Sequence, residues 1–259
     1  GGLAAREQQG FAGAYRPGTA ALDIGGDWHD AFVLPSGAIA LVVGDVVGHG
    51  LEAAIAMAQL RGAVRALAAV SSPSELLDRL DVFVDSLPDA EMATLVYIEL
   101  DPMSGRLRYA CAGHPPPLIV SATGVSRLLW GARSTPLGRH FRSRRIESID
   151  VLGDAERLVL YTDGLIERRG EPLDAGFQRL LRTTAHDVAS IDFVERLCDH
   201  MLDDVPQRDD VCVLTATRLD GRSYARSIAA TTADLAALRR ALKAWLSAWI
   251  PSEETQHAA

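Results

Sequence analysis

Apolar runs and breaks alternate along this chain, and the spacing within each run identifies an element. From Phe11 to Asp45 the pattern is that of strands. Asp30 to Leu34 and Ala38 to Gly44 flank Pro35-Ser36-Gly37, which reads as a hairpin turn. His49 to Val70 is rich in Ala, Leu and Met, with Glu52, Gln59, Arg61 and Arg65 as its polar members, and predicts a mostly buried helix. Pro73 and Ser74 open a second helix that runs to Leu87. Strands follow at Ala93 to Leu100 and Leu107 to Ala112, joined by the turn Asp101 to Gly105. His114-Pro115-Pro116-Pro117 interrupts the next strand, Leu118 to Val120. Further strands are predicted at 125–129, 145–151 and 157–161, helices at 174–185 and 188–203, and a strand at Val211 to Thr217.

Strand pairs therefore alternate with helix pairs. That order favours an α+β fold with antiparallel sheets over a doubly wound parallel sheet. Residues 3–9 read as the end of a helix that begins upstream, after a Gly1-Gly2 cloning remnant. A boundary falls near Leu219-Asp220-Gly221. Beyond it, Ser223 to Ala230 fits a strand, and Thr231 or Thr232 caps a helix reaching Trp249. The apolar stripe of that helix (Leu235, Leu238, Leu242, Trp245, Leu246, Trp249) needs a partner surface. The expected units are thus 1–10, 11–220 and 221–259.

Composition narrows the function. The formal charge of -8 disfavours nucleic acid as a partner. No apolar run approaches the roughly 18 residues of a membrane span, and no signal peptide follows the first glycines. Cys111, Cys198 and Cys212 form no CxxC pair and lie in apolar stretches, as expected for reduced core residues of a cytosolic protein.

The chemistry lies in four acidic segments: Gly25-Gly26-Asp27, Gly44-Asp45-Val46-Val47-Gly48-His49-Gly50, Tyr161-Thr162-Asp163-Gly164 and Arg208-Asp209-Asp210-Val211. Each sets an Asp where an apolar, strand-like run meets a loop. One such Asp is ordinarily a turn former or helix cap. Four together predict carboxylates gathered around hard divalent cations, with the Val46 carbonyl as a further oxygen ligand and Gly48 and Gly50 allowing a sharp turn. Histidines are few and scattered, which favours Mg²⁺ or Mn²⁺ over zinc. Two cations about 3.5–4 Å apart would activate a water for in-line attack on phosphorus, with no protein nucleophile.

At these residues the chain resembles the metal-dependent type 2C protein phosphatases of the SpoIIE/RsbU branch. Gly25-Gly26-Asp27-Trp28-His29-Asp30 is similar to the branch's GGD-aromatic-x-D segment, and Gly44 to Gly50 to its GDVSGHG segment. Ala112 to Leu118 resembles its AGHPPPL hairpin. Tyr161-Thr162-Asp163-Gly164 and Asp209-Asp210-Val211 resemble its last two metal segments. The resemblance implies a four-layer αββα sandwich with two metals between mainly antiparallel sheets. Asp45 would bridge both ions. Asp27 and the Val46 carbonyl would complete one, Asp163 and Asp209 the other, with Asp210 behind them or as an alternative ligand. The implied substrate is phosphoserine or phosphothreonine on an anti-sigma-factor antagonist of the STAS type. Val47 stands where the branch has Ser and where eukaryotic relatives carry a general-acid His; His49, two residues on, is the candidate general acid. The phosphate-binding Arg of eukaryotic relatives has no counterpart before Asp27.

Ala233-Asp234-Leu235 and Leu238-Arg239-Arg240-Ala241-Leu242 resemble the opening helix of a GHKL-type anti-sigma kinase, which implies a multidomain stress regulator. Adjacent sensor and kinase domains are the implied partners, with switching or homodimerisation through helices beside the site. Two other functions fit the same residues: a degenerate phosphatase that only docks a partner, and a hydrolase of small phosphate esters. Retention of every expected metal carboxylate argues against the first. Elsewhere, His114 is expected to fix its hairpin by hydrogen bonding, Trp28 and His29 to form an aromatic packing wall, and Glu167 to Glu171 to form an exposed turn or flap. Arg139, His140, Arg142, Arg144 and Arg145 are expected to be a solvated strand edge or loop.

Overall fold

A computed structural model describes residues 11–18, 26–48, 50–87, 90–138, 144–185, 192–203 and 209–218. The upstream helix, His49, Arg139, His140, Arg142 and the predicted elements after residue 218 lie outside the described residues.

In chain order the elements are β1 (Phe11–Arg16), β2 (Trp28–Val33), β3 (Ile39–Asp45), α1 (Leu51–Ala68), α2 (Pro73–Val84), β4 (Thr94–Leu100), β5 (Arg106–Ala112), β6 (Leu118–Val120), β7 (Ser126–Leu128), β8 (Arg133–Ser134), β9 (Ser148–Val151), β10 (Arg157–Tyr161), α3 (Leu173–Thr184), α4 (Phe193–Leu202) and β11 (Val211–Thr217). One sheet has the order β1-β11-β10-β6-β7. The other runs β2-β3-β4-β5, with β8 and β9 both paired to β5. Every named strand pair is antiparallel except the two-residue pairing of β5 with β8.

Alternation along the strands builds three cores. Leu41, Val43, Val96 and Ile98 of one sheet share the central core with Leu158, Leu160 and Leu214 of the other. Val42 and Tyr97 point the opposite way, to Leu60 and Val64 of α1 and Leu76, Leu77 and Leu80 of α2. Val159, Tyr161 and Val213 likewise meet Phe177 and Leu180 of α3 and Leu197 of α4. Both faces of β3 and β10 are covered, so those strands read as unbroken apolar runs rather than as alternation. The result is the expected four-layer αββα sandwich. Each fully buried leucine contributes roughly 1.5–3 kcal/mol to holding the helices on the sheets.

Two local expectations change. The first helix is not mostly buried: only Ala53, Ala56, Leu60, Val64 and Ala68 are fully buried, with Met57, Ala63 and Leu67 partly so, while Leu51 and Ile55 are exposed. Its alanines hide the polar face, because Ala fits either side. Arg145 is not solvated either. It is buried, pairs with Asp81 of α2 at 2.5 Å, and donates to the Thr135 and Pro136 carbonyls. It fastens the loop after β8 to α2. The second helix opens at Pro73 as expected, with Ser72 capping it in a capping box with Glu75, and ends at Val84. Among the described residues, no helix is long and apolar enough to cross a membrane.

Candidate metal centre

The acid-bearing strand ends of the two sheets meet at one end of the sandwich. In one sheet, Trp28 pairs with Gly44 and Asp45 with Thr94, which sets Asp27 beside Asp45. In the other, Tyr161 pairs with Val213, Asp163 opens a single 3-10 turn after β10, and Asp209 and Asp210 lead into β11. Thr162 links the halves: its hydroxyl donates to Asp27 Oδ2 at 2.7 Å.

Close backbone approach at two glycines allows this. A Cβ on Gly26 would lie 2.0 Å from the Val46 carbonyl oxygen, and one on Gly164 would lie 2.2 Å from the Asp210 carbonyl oxygen. Either contact is far inside van der Waals range, so only glycine lets these segments meet. The Val46 carbonyl thereby sits against the backbone next to Asp27. At the start of α1, Gly48 and Gly50 adopt φ of +107° and +86°, the sharp turn expected there.

The carboxylates sense one another. Burial, then the charges of Asp45 and Asp163, push Asp27 well above the usual carboxylate range, against the pull of the Thr162 hydrogen bond. Burial and Asp163 also raise Asp45, with Asp209 and Asp210 adding to the effect. Burial, Asp209 and Glu167 raise Asp163. Asp27 and Asp45 influence each other's protonation directly, and burial disfavours ionising both at once. Asp209 Oδ1 accepts from the Asp210 N–H at 2.9 Å, and Asp210 Oδ1 from the Gly18 N–H at 2.8 Å. Asp210 thus also pins the loop after β1.

This donor set fits a hard cation. It is all oxygen, partly buried, and carries more negative charge than its surroundings neutralise. Among the described residues, no three His, Cys, Asp or Glu side chains already form a tight cage.

Neighbouring residues tie the site to the elements around it. Trp28 is buried in the helix-side core, and His29 Nδ1 lies 3.0 Å from Cys212 Sγ, bridging β2 to β11. Asp30 is buried and takes a two-pronged grip from Arg65 of α1, with both bonds at 2.6 Å, and a longer bond from Arg61 at 3.3 Å. His114 is buried and pairs with Thr94 rather than only with its own hairpin. In the 167–171 segment, Glu171 N–H donates to the Arg168 carbonyl at 3.1 Å and Arg168 to the Met201 carbonyl at 3.1 Å, which makes it an anchored exposed turn. Sequence reasoning missed Thr162, Thr94 and the arginine grip. The signals present were a hydroxyl directly before Asp163 and two arginines four residues apart on a helix rich in Ala, Leu and Met.

Residues 35–219 match the model of the family described as Stage II sporulation protein E (SpoIIE). The chain is 30% identical over 155 residues to the phosphoserine phosphatase RsbP of Bacillus subtilis, covering 57% of this chain and 38% of that protein. It is 30% identical over 183 residues to the phosphoserine phosphatase RsbU of the same organism, covering 65% and 54%. It thus spans about half or less of these relatives. Among solved structures it resembles the RsbU and RsbW domains of Rv1364c from Mycobacterium tuberculosis, at 33% identity and a TM-score of 0.74, covering 92% of this chain and 69% of that one.

Proposed function

The chain belongs to the SpoIIE family, and we propose that it is a metal-dependent protein phosphatase acting in the cytoplasm on phosphoserine or phosphothreonine of a STAS-type anti-sigma-factor antagonist. The observation that carries this reading is the convergence of Asp27, Asp45, Asp163, Asp209 and Asp210 from both sheets, each close enough to shift or be shifted by another. The relatives named phosphoserine phosphatases support the reaction class.

Asp27, Asp45 and the Val46 carbonyl would hold one cation, and Asp45, Asp163 and Asp209 the other, with Asp210 as support or alternative. Bound there, Mg²⁺ or Mn²⁺ would supply charge neutralisation at the phosphoryl group and lower the pKa of an attacking water. The chain's own share is to keep these carboxylates rigid and partly dry. His49, four residues after Asp45, is the proposed donor of a proton to the leaving oxygen. A cysteine nucleophile fits poorly: burial pushes Cys111 and Cys198 up to about 11 and raises Cys212 as well, so the thiols stay protonated.

Residues 221–259 are proposed to begin a following GHKL-type kinase domain. The match that reaches across 92% of this chain to a structure of RsbU and RsbW domains supports that division. Sensor and kinase domains of the same polypeptide, and a second copy, are the proposed partners for switching.

The test is phosphate release from a phosphorylated antagonist. Release should require added Mn²⁺, stop with EDTA, and fall below about one per cent in Asp45→Asn while the fold persists. Full activity of Asp45→Asn would refute the reading. His49→Ala should slow release and flatten the limb of the pH–rate profile that reports the acid.

A further inference from the structure

Thr162 bears no charge, yet its hydroxyl stands where the two halves of the site join. Its Oγ1 accepts a hydrogen bond from the Cys212 N–H at 2.9 Å and donates to Asp27 Oδ2 at 2.7 Å. A hydroxyl has a single proton. With the backbone N–H donating to the oxygen, that proton is directed to the carboxylate. The Thr162 N–H in turn donates to the Cys212 carbonyl at 3.0 Å, so backbone bonds hold the residue to β11 on both counts. Branching at Cβ further restricts its side chain. Thr162 is wholly buried, so no bulk water stands ready to replace its donor. Asp27 leads into β2 of one sheet, whereas Thr162 follows β10 of the other and precedes Asp163 directly.

We propose that Thr162 is a positioning residue that aims the Asp27 carboxylate at a divalent cation and ties it to the Asp163 half of the site. This rests on the reading of Asp27 as a metal ligand given above. A partner behind a ligand typically changes metal affinity 10–100-fold when removed.

The experiment is calorimetric titration of Mn²⁺ into the full chain, with thermal unfolding recorded alongside. Wild type should bind two Mn²⁺. Thr162→Ser keeps the donor and should stay within about threefold, whereas Thr162→Val should weaken one of the two ions about 10–100-fold. If Val does not fold, Thr162→Cys, a weaker donor of similar size, replaces it and should bind more weakly than Ser. Wild type that binds no Mn²⁺ would overturn the metal reading itself. Wild type that binds two ions, with Val or Cys equal to it in affinity whatever their melting temperatures, would overturn the role of Thr162 alone.

Discussion

Thr94 Oγ1 lies 2.8 Å from His114 Nδ1, and Thr94 is the cross-strand neighbour of Asp45. The other ring nitrogen, Nε2, is buried and has no hydrogen-bond partner among the described residues. His114 is therefore a buried strut behind the Asp45 end of its sheet, acting through Thr94.

That strut has a pH signature. Burial lowers the His114 pKa from 6.5 to about 3, so the folded ring stays neutral. Below about 6.5 the unfolded chain binds a proton that the folded chain refuses, and stability falls as pH drops from there toward about 3. Above that window the effect is absent. Urea unfolding of wild type and His114→Gln at several pH values should show the wild-type midpoint falling more steeply between pH 6.5 and 4.5. Parallel curves would contradict a buried neutral ring.

Asp30 adds a slope of the same sign at lower pH. Burial alone would raise its pKa, but the bonds from Arg65 and the charge of Arg61 outweigh burial and lower it below 3.8. Its contribution is full above 3.8 and disappears as pH falls through the lowered value. Asp30→Ala should destabilise the protein by about 2–3 kcal/mol at neutral pH, because it removes charge-assisted bonds and frees α1 from β2. Guanidinium unfolding would measure this. A loss that persists unchanged at the lowest accessible pH would point to packing instead.

Gly164 tests whether backbone contact between the segments matters. Its Cβ would lie 2.2 Å from the Asp210 carbonyl oxygen, so Gly164→Ala must push the Asp163 turn away from the start of β11. Overpacking of this kind costs about 1–3 kcal/mol. The variant should remain folded, bind Mn²⁺ at least tenfold more weakly, and lose phosphatase activity in proportion. Normal Mn²⁺ affinity would mean that the two acids need not be held together by this contact.

The sequence reading located the strands that carry the acids because they are buried on both faces, and unbroken runs ending in Gly-Asp or Asp-Gly are hard to mistake. It also identified an α+β fold with antiparallel sheets, through strand pairs alternating with helix pairs, while the four layers came from the family resemblance. It misjudged α1, where alanine leaves the buried face unmarked, and Arg145, whose partner Asp81 lies on another element. Thr162 and Thr94 were invisible for the same reason. Their importance comes from what they touch across the sheets, and single-chain spacing does not encode that. The acids were legible because a cluster of like charges is unusual in composition as well as in space.

That clustering should make the metal-free protein less stable than its core allows. Burial and the charges of Asp209 and Glu167 raise the Asp163 pKa. A carboxyl with a raised folded pKa binds a proton more tightly when folded, so its ionisation destabilises the fold progressively as pH rises above 3.8. Asp163→Asn removes that charge. Without metal, the variant should melt above wild type at neutral pH, and the gap should open as pH rises from 3.8 through the raised folded value and then level off. With Mn²⁺ the order should reverse. Ligand at 100 times its dissociation constant stabilises the folded state by about 2.7 kcal/mol, and only wild type would gain the full amount. Melting curves with EDTA and with Mn²⁺, across pH, therefore separate a metal centre from a group of structural caps. Caps would lose stability on Asp163→Asn under every condition, whereas a metal centre would gain without Mn²⁺ and lose with it.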